Sequence, residues 1–152
     1  MRHYSIIKNR KVRIAIVGCG RIAKNHFGSI EKHSEDFELV SVCDNNKQSL
    51  VVATEQYSVN GYLSLTEMLE KEQLDIVSLC TPSGVHPEQA KEVAEAGVHV
   101  ISEKPMATRW NDAVGMVKAC DKAGVRLFVV KQNRRNTRSS SMLPDVSTVR
   151  PV

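Results

Sequence analysis

The six residues Gly18-Cys19-Gly20-Arg21-Ile22-Ala23 place small side chains at GxGxxA spacing, a pattern suited to gripping a diphosphate. A first glycine permits a tight turn, a second lets the backbone approach a pyrophosphate, and a small third residue lets the following helix pack against the preceding strand. A helix opening there turns free N–H groups toward the phosphates. Asp44 follows 24 residues past Gly20, where its carboxylate can accept hydrogen bonds from the hydroxyls of an adenosine ribose. The same charge repels a 2′-phosphate, and no arginine occurs in the next five residues, Asn45-Asn46-Lys47-Gln48-Ser49, so NAD is favoured over NADP. Lys47 keeps an NADP reading open, and a tight turn in a nucleotide-free, flavodoxin-like protein is the bland alternative for both glycines.

Three more polar clusters, CTPSGVHPE from Cys80, SEKPM from Ser102 and KQNRRN from Lys131, each follow an apolar run. In open α/β sheets, ligands bind beyond the carboxyl ends of the strands, so the three clusters converge on one crevice. Thr81, Pro82 and His86 lie where the chain leaves a strand for a helix, and His86 either reaches the ligand or caps that helix. A lysine at position 104, beside a nicotinamide, could hydrogen-bond a hydroxyl undergoing oxidation; partial desolvation would let it lose its charge and take up a proton. Pro105 limits the backbone, and a cis bond before it would aim the lysine inward. Without further context, a lone lysine is more often a solvated surface charge.

The elements that must hold these residues alternate in type. Short β-rich runs at 11–17, 38–43, 75–80, 97–102 and 125–130 are separated by helical stretches at 21–33, 46–57, 64–72, 84–96 and 109–123. Ser64 and Glu67 form a capping-box pair, and Gly97 and Gly124 fall where a left-handed residue ends a helix. Repeated βα units of this kind give an α/β fold, a doubly wound parallel sheet. The expected organisation is an N-terminal extension at 1–10, a dinucleotide-binding domain at 11–136 and a loose polar tail at 137–152.

A chain of 152 residues is the size of one ordinary domain. Its 41% hydrophobic and 25% charged residues are globular values. No apolar run approaches the ~18 residues of a membrane span, and no secretory signal opens the sequence, so the expected location is cytoplasmic. The net charge of +4 is divided unevenly. Residues 1–13 carry five basic groups and no acid, 131–152 carry five and one, and 14–130 carry eleven and sixteen. An acidic body argues against a nucleic-acid partner. Cys19, Cys43, Cys80 and Cys120 have neither disulfide-framework nor zinc-ligand spacing, so no metal is expected.

Taken together, AIVGCGRIAKNH, VCD, SLCTPSGVHPEQA, ISEKPMATRW and FVVKQNRRN resemble, in order and spacing, the N-terminal half of the Gfo/Idh/MocA oxidoreductases from Lys11 to Asn136. The EKP triplet is that family's most recognisable signature. GSIEKH, KPMATRW and KQNRRN are similar, more narrowly, to bacterial sugar-nucleotide dehydrogenases of the WlbA type. The resemblance implies NAD as cofactor, with Gly18, Gly20, Arg21, Ile22 and Asp44 gripping it. Thr81, Pro82, His86, Glu103 and Gln132 would line its nicotinamide side, with Lys104 as the catalytic lysine. Asn133, Arg134 and Arg135 would lie near a negatively charged sugar nucleotide, a task suited to the planar guanidinium, or would form a basic surface loop.

The implied reaction is oxidation of the C3 hydroxyl of UDP-N-acetylglucosaminuronate, on the way to lipopolysaccharide O-antigen sugars. Family members continue into a second, α+β domain that supplies a catalytic histidine, much of the substrate pocket and the usual homo-oligomer interface. Here a serine-rich stretch follows Arg138 instead, a junction that a truncated gene or a shifted reading frame would produce. The alternative is therefore a dinucleotide-binding module without turnover of its own.

Overall fold

The computed structural model describes residues 7–131. Among them the order is β1 (Val12–Val17), α1 (Ala23–Lys32), β2 (Phe37–Cys43), α2 (Lys47–Tyr57), β3 (Asn60–Tyr62), α3 (Leu65–Lys71), β4 (Ile76–Leu79), α4 (His86–Glu95), β5 (His99–Ser102), α5 (Trp110–Ala123) and β6 (Leu127–Val129). The strands form one sheet in the order β3-β2-β1-β4-β5-β6. Every pairing is parallel. The doubly wound expectation therefore holds, in the mononucleotide-repeat order in which the chain winds outward from β1 and restarts at β4.

Periodicity explains which side each helix covers. On α1 the buried residues Ala23, Phe27 and Ile30 fall four and three apart, one stripe of a 3.6-residue helix. That stripe packs with Leu50 and Ala53 of α2 against Ile14, Ile16 and Val42. Phe27 stacks on Tyr57 at 4.0 Å between ring centroids, joining α1 to α2. On the other face Met68 of α3, Ala90 and Val93 of α4, and Met116 and Cys120 of α5 close over Val17, Leu79 and Val100. Burial of each large apolar side chain contributes about 1.5–3 kcal/mol, which makes these two layers the main source of stability.

The structure differs from the sequence expectations in one added strand and at several element ends, among them the helix expected at 84–96, which is His86–Glu95, and the strand expected at 125–130, which is Leu127–Val129. A sixth strand, β3, has only three residues and no apolar run; Gly61 within it offers no side chain toward α2, where a Cβ would run into Thr54 Cγ2. The strand expected from 97 starts at His99, since Gly97 adopts φ +77° as the left-handed end of α4. The helix expected from Arg21 starts at Ala23, because Gly20 to Ile22 remain in the turn. Half of the capping box is present: Ser64 Oγ accepts the Glu67 N–H at 3.4 Å, but the Glu67 carboxylate pairs with Lys71 at 2.6 Å. Gly124, at φ +72°, ends α5 as expected.

Arg10, assigned to the extension, donates twice to Asp75 at 2.6 and 2.8 Å, and the Arg13 N–H donates to the same carboxylate at 2.8 Å. The Arg10 guanidinium is the main reason that Asp75 is held below the usual carboxylate range. The tail at 137–152 lies outside the described residues.

Candidate dinucleotide site

Strand order reverses between β1 and β4, so the loops leaving these two strands part toward opposite faces and open a crevice at the carboxyl edge of the sheet. A cleft of about 630 Å³ occupies it, and Gly18, Gly20, Asp44, Thr81 and Pro82 are among the residues lining it.

Gly18 has φ +89°, and a Cβ added there would stand 2.9 Å from both the Cys80 carbonyl carbon and the Thr81 nitrogen. Its N–H donates to the Cys43 carbonyl at 2.7 Å, pinning the turn to the end of β2. A Cβ added at Gly20 would meet nothing within 4 Å, so the space above that residue is open. Ala23 is fully buried where α1 crosses the sheet, as the third small position requires. No side chain caps the start of α1 and its first turn carries no acid, so the positive end of the helix is open to an anion, although the Ala23 and Asn25 N–H groups already donate to the Gly20 and Ile22 carbonyls at 3.1 Å.

Asp44 joins the turn to the next strand. Its Oδ2 accepts the Cys19 N–H at 2.7 Å and its Oδ1 accepts the Asn46 N–H at 2.8 Å. A carboxylate has about four lone-pair sites, so roughly two remain for ribose hydroxyls. Burial, and then the Asp44 charge, push the Cys19 thiol up to about 12. The thiol stays neutral beside the cleft and does not oppose an incoming phosphate. Open space at Gly20, an uncapped helix start and an oriented carboxylate together fit the diphosphate and ribose of a dinucleotide.

Other expected residues sit around this cleft rather than lining it. Arg21 is exposed in the turn, and Ile22 packs against the α1–α2 cluster. His86 is 1% exposed. Its Nε2 donates to the Thr81 carbonyl at 2.7 Å, while Nδ1 lies 3.2 Å from the Pro105 carbonyl oxygen and 3.3 Å from Ser102 Oγ. It thereby ties the loop after β4 to the turn after β5. Glu103 is buried directly under that turn, and its Oε2 accepts the Lys104 N–H at 3.1 Å. Lys104 is exposed, its ammonium has no hydrogen bond or ion pair among the described residues, and the Lys104–Pro105 bond is cis. Gln132, Asn133, Arg134 and Arg135 lie outside the described residues.

Three residues of this region escape the sequence reading. Gln89 lines the cleft and accepts the Thr81 hydroxyl proton; it sits one helical turn past His86, a spacing that could have flagged it. His26 and Ser78 form the polar layer beneath Glu103. His26 lies three residues past the buried Ala23, on the sheet side of α1, and Ser78 interrupts an apolar strand. Among the described residues no group of three or more His, Cys, Asp or Glu could hold a metal, and no helix is long and apolar enough to cross a membrane.

A family model described as "Oxidoreductase family, NAD-binding Rossmann fold" matches residues 12–131. The chain belongs to the Gfo/Idh/MocA oxidoreductase family. Gfo/Idh/MocA members of known structure superpose well on it. It is 56% identical to the WlbA dehydrogenase of Bordetella pertussis, solved with NADH and UDP-GlcNAcA, with a TM-score of 0.85 over 87% of this chain and 40% of that one. The WlbA dehydrogenase of Chromobacterium violaceum, solved with the same two ligands, is 57% identical, with a TM-score of 0.88 over 90% of this chain and 39% of that one. Among curated relatives, D-apiose dehydrogenase of Paraburkholderia graminis is 34% identical over 79% of this chain and 32% of its own length. The chain thus spans about a third to two fifths of the length of these Gfo/Idh/MocA relatives. NAD is the family's cofactor, and the cleft built by Gly18, Gly20 and Asp44 is where this chain offers a fit for it.

Proposed function

We propose that this chain carries the NAD-binding part of a cytoplasmic dehydrogenase that oxidises the C3 hydroxyl of UDP-N-acetylglucosaminuronate during formation of lipopolysaccharide O-antigen sugars. The observation that carries this reading is the 56–57% identity to two dehydrogenases whose crystals hold NADH and UDP-GlcNAcA. The geometry of the cleft supports it. Backbone N–H groups at the start of α1 would neutralise the diphosphate, Gly20 would let it approach, and Asp44 would take the adenosine ribose hydroxyls with its spare lone pairs.

Bound NAD would supply a hydride acceptor at the nicotinamide ring. Lys104 would hydrogen-bond the C3 oxygen and, once desolvation by the sugar has let Nζ give up its own proton to solvent, take up the hydroxyl proton there. Glu103 and His86 hold the turn that presents this lysine. Gln132 would face the nicotinamide side, and Asn133, Arg134 and Arg135 would meet the uronate carboxylate or the diphosphate of the sugar nucleotide.

A second reading has its own observation: the described residues form a cleft that offers a fit for the diphosphate and ribose of the cofactor, while the chain covers 40% of a WlbA chain. In that reading the chain binds NAD without turning over a sugar, since orientation of the reacting hydroxyl needs more contacts than this cleft offers. Titration of the chain with NADH, followed by nicotinamide fluorescence, should show saturable binding; absence of binding would refute both readings. Addition of NAD and UDP-N-acetylglucosaminuronate then separates them. Turnover that vanishes in Lys104→Ala supports the dehydrogenase, and binding without turnover supports the module.

A further inference from the structure

Beneath the turn that carries Lys104, a line of polar side chains crosses from β4 through α1 to β5. Ser78 is fully buried, and its Oγ lies 2.9 Å from His26 Nδ1. His26 Nε2 lies 2.8 Å from Glu103 Oε1, and Glu103, 5% exposed, accepts the Lys104 N–H on its other oxygen at 3.1 Å. Proton positions follow from the donor and acceptor inventory. An ionised carboxylate only accepts, so Nε2 carries a proton toward Glu103. In the neutral ring Nδ1 then accepts, and the Ser78 hydroxyl donates to it. Cys80 Sγ, 3.9 Å from Ser78 Oγ, can supply a weak S–H donor at the far end. For a neutral ring beside a carboxylate, this direction satisfies every group in the line.

We propose that His26 is a positioning residue for Lys104, acting through Glu103. The imidazole orients one carboxylate oxygen, and the other oxygen then fixes the backbone N–H from which the lysine side chain starts. The inference rests on reading Lys104 as the residue that meets the substrate hydroxyl, a task in which small misplacements are expensive in rate. Neither His26 nor Ser78 lines the cofactor cleft, so the effect on the lysine separates from cofactor binding.

The test uses the whole 152-residue chain labelled with 15N, read by NMR, beside its His26→Phe and His26→Gln variants and a parallel NADH titration. Glutamine keeps an N–H donor toward Glu103, whereas phenylalanine keeps only bulk. The wild-type ring of His26 should show its proton on Nε2, coupled to a Lys104 amide that exchanges slowly with solvent. Exchange of that amide should quicken by about tenfold or more in His26→Phe, the effect of losing one charge-assisted hydrogen bond, and return most of the way in His26→Gln.

An Nε2 without a proton in the wild type, an unchanged Lys104 amide in His26→Phe, or equal loss in both variants would overturn the proposal. If His26→Phe does not fold, the wild-type tautomer and the Lys104 amide of His26→Gln decide. Failure of the wild-type chain to bind NADH would refute the dehydrogenase reading, while the tautomer and the amide exchange would still decide whether His26 holds Glu103.

Discussion

Gly18 and Gly20 are the same residue two positions apart, yet the fold constrains only the first. Gly18→Ala would force a side chain into φ +89° and 2.9 Å from backbone atoms of the loop after β4. Strain of this kind is expected to destabilise by about 1–3 kcal/mol or more, read as a lower urea midpoint. Gly20→Ala meets open space, so its stability should stay within about 0.5 kcal/mol of wild type while NADH affinity falls by about tenfold or more. A Gly20→Ala chain that binds NADH normally would remove the diphosphate from this turn. Asp44→Ala should weaken NADH by about tenfold or more, the range for hydrogen bonds to a charged group, and NADPH by less. Equal losses in the two fluorescence titrations would refute the ribose role of that acid.

At the scale of elements, three central strands each carry a fully buried serine: Ser41 on β2, Ser78 on β4 and Ser102 on β5. Ser78 and Ser102 are hydrogen-bonded, but Ser41 Oγ has no partner among the described residues. Ser41→Ala should therefore raise stability by about 1 kcal/mol, because an unsatisfied buried hydroxyl is removed without opening a large cavity. A drop in urea midpoint would mean that the hydroxyl is in fact satisfied. The longer elements were legible because apolar spacing repeats over several residues, as in VRIAIV of β1 or Ala23, Phe27 and Ile30 of α1. Strand β3 was not, since three residues on an open sheet edge owe their conformation to pairing with β2.

Across the whole molecule the buried thiols make stability fall in alkali. Burial, the largest cause in each case, pushes Cys19 and Cys80 up to about 12 and Cys43 to about 11, from an ordinary 9.0. Between pH 9 and about 12 the unfolded chain gives up these protons while the native chain keeps them. The native state then binds more protons, so unfolding free energy decreases as pH rises through that window and is unaffected by these groups below pH 9. Urea midpoints measured from pH 8 upward should decline, and a Cys43→Ala, Cys80→Ala double variant should decline less steeply from its own starting value.

The sequence by itself determined the fold class, the glycine turn and the acid that follows it, because each depends on local spacing along one chain. GxGxxA and Asp44 are separated by one strand and one helix, and a βαβ unit has few ways to place them other than side by side. Tertiary structure alone decided which residues enter the cleft and which stand behind it. His86, expected beside the ligand, is held under the surface by its hydrogen bond to the Thr81 carbonyl, with the Pro105 carbonyl and Ser102 Oγ beside its other nitrogen, and Glu103 lies within hydrogen-bond distance of His26. The Glu103 contact joins residues 77 positions apart, and the Pro105 carbonyl reaches His86 from another loop 19 positions away, pairings for which side-chain spacing along the chain carries no signal.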